Sequence, residues 1–225
     1  MHLFQIEIHE PQRRVRMRPL FRRLYATWLP GRVYGIVGEN GSGKSTLMRM
    51  IAGLWQPHAG RVDVRRGPEV LSPLERRAFV NLVAPYYHVY DDLSLREQLT
   101  FVVDLRQTDS GTPDTNTTVD ARRADRLPDQ LLLAVQTAGL DGVLDEPLHS
   151  FSTGMLQRAR MLAGLAHPAP IILLDEATSN LDPAGIEWVA SVVRSEVARH
   201  ALVVIATNVS HELAWCDEVL DLGAS

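Results

Sequence analysis

Cysteine is almost absent from this 225-residue sequence. Cys216 stands alone, so no disulfide can close within the chain, and a reducing compartment is expected. Long apolar runs are absent too, since none approaches the ~20 residues a helix needs to cross a bilayer. The opening Met1-His2-Leu3-Phe4-Gln5-Ile6-Glu7-Ile8 alternates as a strand does and lacks the apolar core of a signal peptide. A chain of this kind working at a membrane must take its spans from a partner. There is no excess of positive charge: the net charge is −4 and the pI about 6.1, which offers no general attraction to nucleic acid or anionic lipid. The local exception is Arg13, Arg14, Arg16, Arg18, Arg22 and Arg23, read as the solvated face of an N-terminal antiparallel sheet in preference to a polyanion patch. No internal repeat and no sustained heptad pattern stands out. With 45% hydrophobic and 22% charged residues, the composition is that of an ordinary globular protein. Its length suits one catalytic core with a smaller appended lobe.

What is present is concentrated in one stretch. Gly38-Glu39-Asn40-Gly41-Ser42-Gly43-Lys44-Ser45-Thr46 fits G-x-x-x-x-G-K-[ST] and follows the apolar run Val33 to Val37, which reads as a buried strand. Gly41 and Gly43 let the backbone curl so that successive N–H groups point inward, forming a nest for phosphate oxygens. The loop opens a helix over Lys44 to Ile51 whose positive end adds to the pull on the anion. Lys44 supplies a point charge near the β and γ phosphates, and the Ser45 hydroxyl is of the right type and place to ligate Mg²⁺. The chain is therefore expected to bind a nucleoside triphosphate.

Strand-like runs recur at Leu3 to Ile8, Val33 to Val37, Phe79 to Ala84, Ile171 to Leu174 and Ala201 to Ala206, the later ones separated by helical patterns. This alternation predicts an α/β fold with a largely parallel central sheet flanked by helices. Ile171-Ile172-Leu173-Leu174 is apolar throughout, as a central strand covered on both faces should be. Amphipathic patterns at Leu95 to Leu105 and Leu131 to Ala138 indicate a small helical lobe, about residues 86–158, inserted into a single 1–225 domain. Residues 107–128, rich in Thr, Asp, Arg and Pro, read as a surface insertion with no chemistry assigned.

Two further signals follow. Asp175 ends the central strand facing the phosphate loop, where a carboxylate can hold Mg²⁺, and Glu176 is placed to orient or polarise the attacking water. Phe151-Ser152-Thr153-Gly154-Met155-Leu156-Gln157-Arg158 sits just before a helical run ending near His167. Ser and Gly at a helix mouth can make a second anion site. They also make an ordinary N-cap by Ser152 or Thr153, which taken alone is the preferred reading.

The phosphate loop, the FSTGM stretch with Gln157-Arg158, the Ile171 to Glu176 strand, and Ser179-Asn180-Leu181-Asp182-Pro183 occur in an order and spacing that resemble the nucleotide-binding subunit of ABC transporters. The resemblance covers about residues 3–222. It implies a P-loop core with an N-terminal antiparallel β lobe and a helical lobe. It also implies a head-to-tail pair of subunits, homodimer or heterodimer, with two ATP molecules and Mg²⁺ between them. Ser152, Thr153, Gly154 and Met155 would then act in trans on the γ-phosphate, and Asp182 would couple the two sites. The implied partner is a transmembrane permease on the cytoplasmic face of a membrane, and no nucleic acid is expected. The STGM signature and an end soon after Leu222, without an importer-type regulatory domain, are read as export-type.

Departures from the family pattern carry their own expectations. Pro85 stands where a glutamine normally touches Mg²⁺, the water and the permease, with Tyr86, Tyr87 and Tyr90 as substitute partner contacts. Asn208 replaces the histidine that contacts the γ-phosphate; an amide can hydrogen-bond there but carries no charge. Val15 occupies the place of the adenine-stacking aromatic, weakening base binding by up to ~1–3 kcal/mol unless Arg14 stacks instead. With Lys44, Ser45, Asp175, Glu176, Ser152 and Gly154 retained, a working but slow or conditionally active ATPase is expected. The alternative is a catalytically weak regulatory partner in a heterodimer. Soluble ABC proteins of DNA repair or translation usually carry coiled coils or two cassettes, and this chain has neither.

Overall fold

The computed structural model describes residues 4–15, 18–21, 23–84, 88–109 and 127–223. In chain order its first half contains β1 (Phe4–Gln12), β2 (Arg14–Val15), β3 (Arg18–Pro19), β4 (Tyr25–Trp28), β5 (Arg32–Val37), α1 (Lys44–Ile51), β6 (Ala59–Arg66), β7 (Glu69–Val70) and β8 (Val80–Val83). The second half contains α2 (Leu95–Asp109), α3 (Asp129–Thr137), α4 (Thr153–Gly164), β9 (Ile171–Asp175), α5 (Pro183–Ala198), β10 (Leu202–Ala206), α6 (Ser210–Leu213) and β11 (Glu218–Asp221). These fall into two compact units, one formed by residues 1–84, 169–176 and 190–225, the other by 85–168 and 177–189.

The first unit is built on a parallel sheet in the order β11-β5-β10-β9-β8. Two of its three interior strands, Ile171–Asp175 and Leu202–Ala206, are buried at every residue, which is why their sequences are apolar with little alternation. The expected α/β fold with a parallel sheet is borne out. A separate antiparallel sheet, β4-β1-β6-β7, follows the opposite rule. Ile6 and Ile8 of β1 and Val62 and Val64 of β6 point into the core, while the intervening Glu7 and Asp63 lie opposite one another on the other face. Together with Leu47, Met48, Ile51, Leu173 and Val204, these residues form one apolar cluster.

Within that cluster lies one buried cation. Arg76 is 6% exposed, and its guanidinium donates to Met50 O at 2.9 Å, Val62 O at 2.7 Å and Leu71 O at 3.3 Å. Burial pulls its pKa below the ordinary arginine value, opposed by the charge of Asp63. Arg76 thereby adds a second kind of donor to a carbonyl at the C-terminus of α1 that also accepts from Gly53 N–H at 3.1 Å.

In the second unit, α4 contacts both α2 and α3, burying Leu99, Val135, Ala159 and Leu162. The start of α2 is a capping box: Glu97 N–H donates to Ser94 Oγ at 3.2 Å, and Ser94 N–H returns a bond to Glu97 Oε2 at 2.8 Å. Arg96 then pairs with Asp145 at 2.6 Å. No helix among the described residues is long and apolar enough to cross a membrane.

Candidate active site

Strand β5 delivers the chain into the loop at Gly38, and the loop closes at Gly43, the N-cap of α1. Both glycines are obligatory. Gly38 has φ 146° and Gly43 φ 106°; a Cβ at the first would lie 2.6 Å from Ser42 Oγ, and at the second 2.8 Å from the Phe21 ring. Gly41 also has positive φ, 86°. No side chain caps α1, so the amides of its first turn remain as donors for an anion. Lys44 is buried to 8% exposure and lies back along the loop, its Nζ donating to Gly38 O at 2.7 Å and Glu39 O at 3.3 Å. Among the described residues, the buried Ser42 hydroxyl has no hydrogen-bond partner. A phosphate oxygen in the nest would fit such a donor. Glu39 and Asn40 are exposed, and Ser45 and Thr46 are half-buried in the first turn of α1.

The strand ends of the parallel sheet converge on this loop. Asp175, at the end of β9, is 3% exposed and lies close enough to the Ser45 hydroxyl for that group to act on its carboxyl. Burial pushes its pKa above the usual aspartate value. The neighbouring Glu176 adds to that rise, while the Ser45 hydroxyl and the charges of Arg49 and Lys44 oppose it. A hydroxyl and a carboxylate close together beneath a phosphate nest are the two protein oxygens that Mg²⁺ would need, the rest coming from phosphate and water. No group of three or more His, Cys, Asp or Glu side chains placed to hold a metal ion gathers among the described residues. Glu176 follows with φ 51°, a left-handed conformation that costs a non-glycine residue about 1–3 kcal/mol. Its N–H donates to Ala206 O at 3.1 Å, which fixes its backbone to the end of β10, and its side chain is exposed. Asn208, just beyond β10, accepts a bond from Gly38 N–H through Oδ1 at 3.2 Å. Arg14 and Val15 form β2, paired with Pro19 and Arg18 of β3. Pro85, Tyr86 and Tyr87 lie outside the described residues.

In the other unit, Ser152 is the N-cap of α4, with Oγ accepting from Met155 N–H at 3.3 Å. The cap reading therefore holds. Thr153, Gly154 and Met155 make the first turn, and Ser152 and Thr153 are exposed. Asp182 is tied to the same helix: its Oδ1 accepts from Arg158 Nη2 at 2.5 Å and from Gly185 N–H at 2.8 Å. The Gly185 bond, followed by the Arg158 bond, holds its carboxyl below the usual range. Arg158 also donates to Ala138 O at 3.0 Å. The partnership between Arg158 and Asp182, 24 residues apart, has no local sequence signal. It was missed, although both residues lie in stretches already singled out.

A glycine-rich loop between a parallel strand and a helix, with Asp-Glu ending a nearby strand of the same sheet, defines a nucleoside-triphosphate-binding α/β protein of the P-loop kind. The ABC transporter family model matches residues 21–179, and the chain belongs to that family. Over 207 residues it is 34% identical to the mycobactin import ATP-binding/permease protein IrtB of Mycolicibacterium thermoresistibile, covering 86% of this chain and 32% of IrtB. It is 30% identical over 203 residues to the cytochrome c biogenesis ATP-binding export protein CcmA of Sphingopyxis alaskensis, covering 90% and 89%. With the daunorubicin resistance ATP-binding protein DrrA3 of Streptomyces coeruleorubidus it shares 30% identity over 196 residues, covering 86% and 58%. The chain thus spans about a third of IrtB, over half of DrrA3 and most of CcmA. Two solved structures share the fold. One, the ATP-binding subunit of an ABC transporter, gives a TM-score of 0.78 at 21% identity, covering 97% of this chain and 85% of that one. The other, a putative ABC transporter ATP-binding protein from Pyrococcus furiosus, gives 0.74 at 20% identity, with 97% of both chains covered.

Proposed function

We propose that this chain is the ATP-binding and ATP-hydrolysing subunit of an ABC transporter, driving a transmembrane permease as one of a pair of such subunits. The observation that carries the reading is the buried Asp175 carboxyl beside the Ser45 hydroxyl, at the start of a helix whose phosphate-loop end has no side-chain cap. On this reading the loop amides and the start of α1 hold the β and γ phosphates, and Lys44 exchanges the carbonyls of Gly38 and Glu39 for phosphate oxygens. Ser45 and Asp175 would hold Mg²⁺, which when bound neutralises charge building up on the phosphoryl group. Glu176 orients the attacking water, and its tethered, left-handed backbone keeps the carboxylate at the mouth of the site. From the second subunit, Ser152 and Gly154 approach the γ-phosphate, with Asp182 relaying between the two sites. Export is the direction favoured by the STGM signature and by the likeness to CcmA, named an export protein; IrtB is named for import.

A second reading, a catalytically weak partner in a heterodimer, is favoured by Pro85 and Asn208 standing where the family has glutamine and histidine. Steady-state hydrolysis of Mg-ATP by the purified chain separates the two. Turnover lost in Glu176→Gln supports the first reading. Nucleotide binding without Glu176-dependent turnover, in wild type alone, supports the second.

A further inference from the structure

Asn208 has a task in addition to facing a nucleotide. Beyond the β10–β5 register Ala206↔Ile36, Thr207 N–H still donates to Ile36 O at 3.0 Å. A strand presents alternate residues to a given neighbour, so the next donor facing β10 belongs to Gly38. That N–H is taken by the side-chain oxygen of Asn208 at 3.2 Å. The carboxamide extends the ladder by one rung, onto the residue where β5 turns into the phosphate loop. A backbone N–H can only donate, so Oδ1 must be the atom that faces it, and the –NH₂ group is turned away with both its hydrogens to offer. The residue itself is steadied by its neighbour: Val209 N–H donates to Thr207 Oγ1 at 2.9 Å, which closes a turn around Asn208.

We infer that Asn208 is a positioning residue for the phosphate loop, anchoring Gly38 to the end of β10 in the nucleotide-free protein. The inference rests on the phosphate-loop reading above. Gly38 begins the nest, so its release loosens the loop for every nucleotide that uses it, ADP included. A side chain that only met the γ-phosphate would affect ATP alone.

The test compares Asn208→Ala and Asn208→Asp with wild type, using ADP and ATP titrations and amide hydrogen exchange at Gly38 without nucleotide. Asn208→Ala is expected to weaken ADP and ATP alike by about fivefold, the worth of one net hydrogen bond, and to remove protection at Gly38. Asn208→Asp keeps an acceptor at the same reach and is expected to preserve that protection. Unchanged ADP affinity with weakened ATP in Asn208→Ala overturns the inference. So does Gly38 protection that survives in Asn208→Ala or disappears in Asn208→Asp. Wild type that binds neither nucleotide overturns the proposed function instead, and Gly38 exchange then still decides the anchoring.

Discussion

The two units of the chain treat their polar groups in opposite ways. Around the phosphate loop, Lys44 and Asp175 are buried against the loop and the start of α1, and the exposed Glu176 and Asn208 are tied down by a backbone bond to Ala206 O and a side-chain bond from Gly38 N–H. In the helical unit, Ser152 and Thr153 open α4 in full exposure, and Asp182 projects outward with Arg158 as its tether. A buried group is oriented before a ligand arrives, so the first unit needs only the nucleotide. An exposed helix mouth offers amides and a hydroxyl to whatever approaches from outside, as the proposed action in trans would require.

The sharpest way to break this comparison is Lys44→Ala, expected to reduce ATP affinity about a hundredfold and to abolish the preference over AMP, as read by nucleotide titration. Lys44 is also the only lysine in the sequence, so amine-directed labelling of the wild type reports on one side chain, and ATP should shield it. Next comes Glu176→Gln: turnover should fall at least about a hundredfold with ATP affinity within about twofold of wild type. The same variant should accumulate an ATP-bound dimer, seen as a doubled mass in light scattering. A monomer at high concentration for mutant and wild type alike points to a heterodimer.

Ser152→Ala probes the other unit. Loss of the cap should cost about 1 kcal/mol and lower the melting midpoint by about 2–4 °C, yet leave the nucleotide affinity of the isolated monomer unchanged. A drop in that monomer affinity would mean that the two regions are not divided as described. Asp175→Asn is the smallest effect and has the opposite sign. Because burial raises the Asp175 pKa, the folded chain binds that proton more tightly than the unfolded one. Its stabilising contribution is complete below the ordinary aspartate pKa and is lost as pH rises through the raised value. At pH 7 the variant should melt higher than wild type, with the gap closing as pH falls toward the ordinary carboxylate range. A lower midpoint at pH 7 would show the Ser45 hydroxyl outweighing burial.

The first unit was legible where one physical rule governed a whole segment. The phosphate loop declares itself because only glycine can occupy Gly38 and Gly43, and β9 and β10 because strands buried on both faces are apolar throughout. Strand β6 went unread because Ala59–Arg66 buries only Val62 and Val64, leaving charge at most other positions. Edge strand β11 is four residues long, with Val219 exposed. The site residues came from motif and family order, but their contacts did not. Gly38 with Asn208, Arg158 with Asp182, and Arg76 with the carbonyls of α1 and β6 are pairings between distant residues, and nothing in local periodicity encodes them.

Arg76 has a mechanical meaning. The helix that begins at Lys44 ends in carbonyls gripped by a guanidinium that is also fastened to β6, so its far end is anchored crosswise to a second sheet. Any adjustment to an anion at the near end is therefore easier in the loop and in the residues beside it, at Gly38, Asp175 and Glu176, than along the helix axis. A lysine at position 76 could reach one of these carbonyls but could not span both, and the helix would gain the freedom to recoil. A helix tied at its far end and open at its near end leaves the ends of the interior strands β5 and β9 as the places beside the loop.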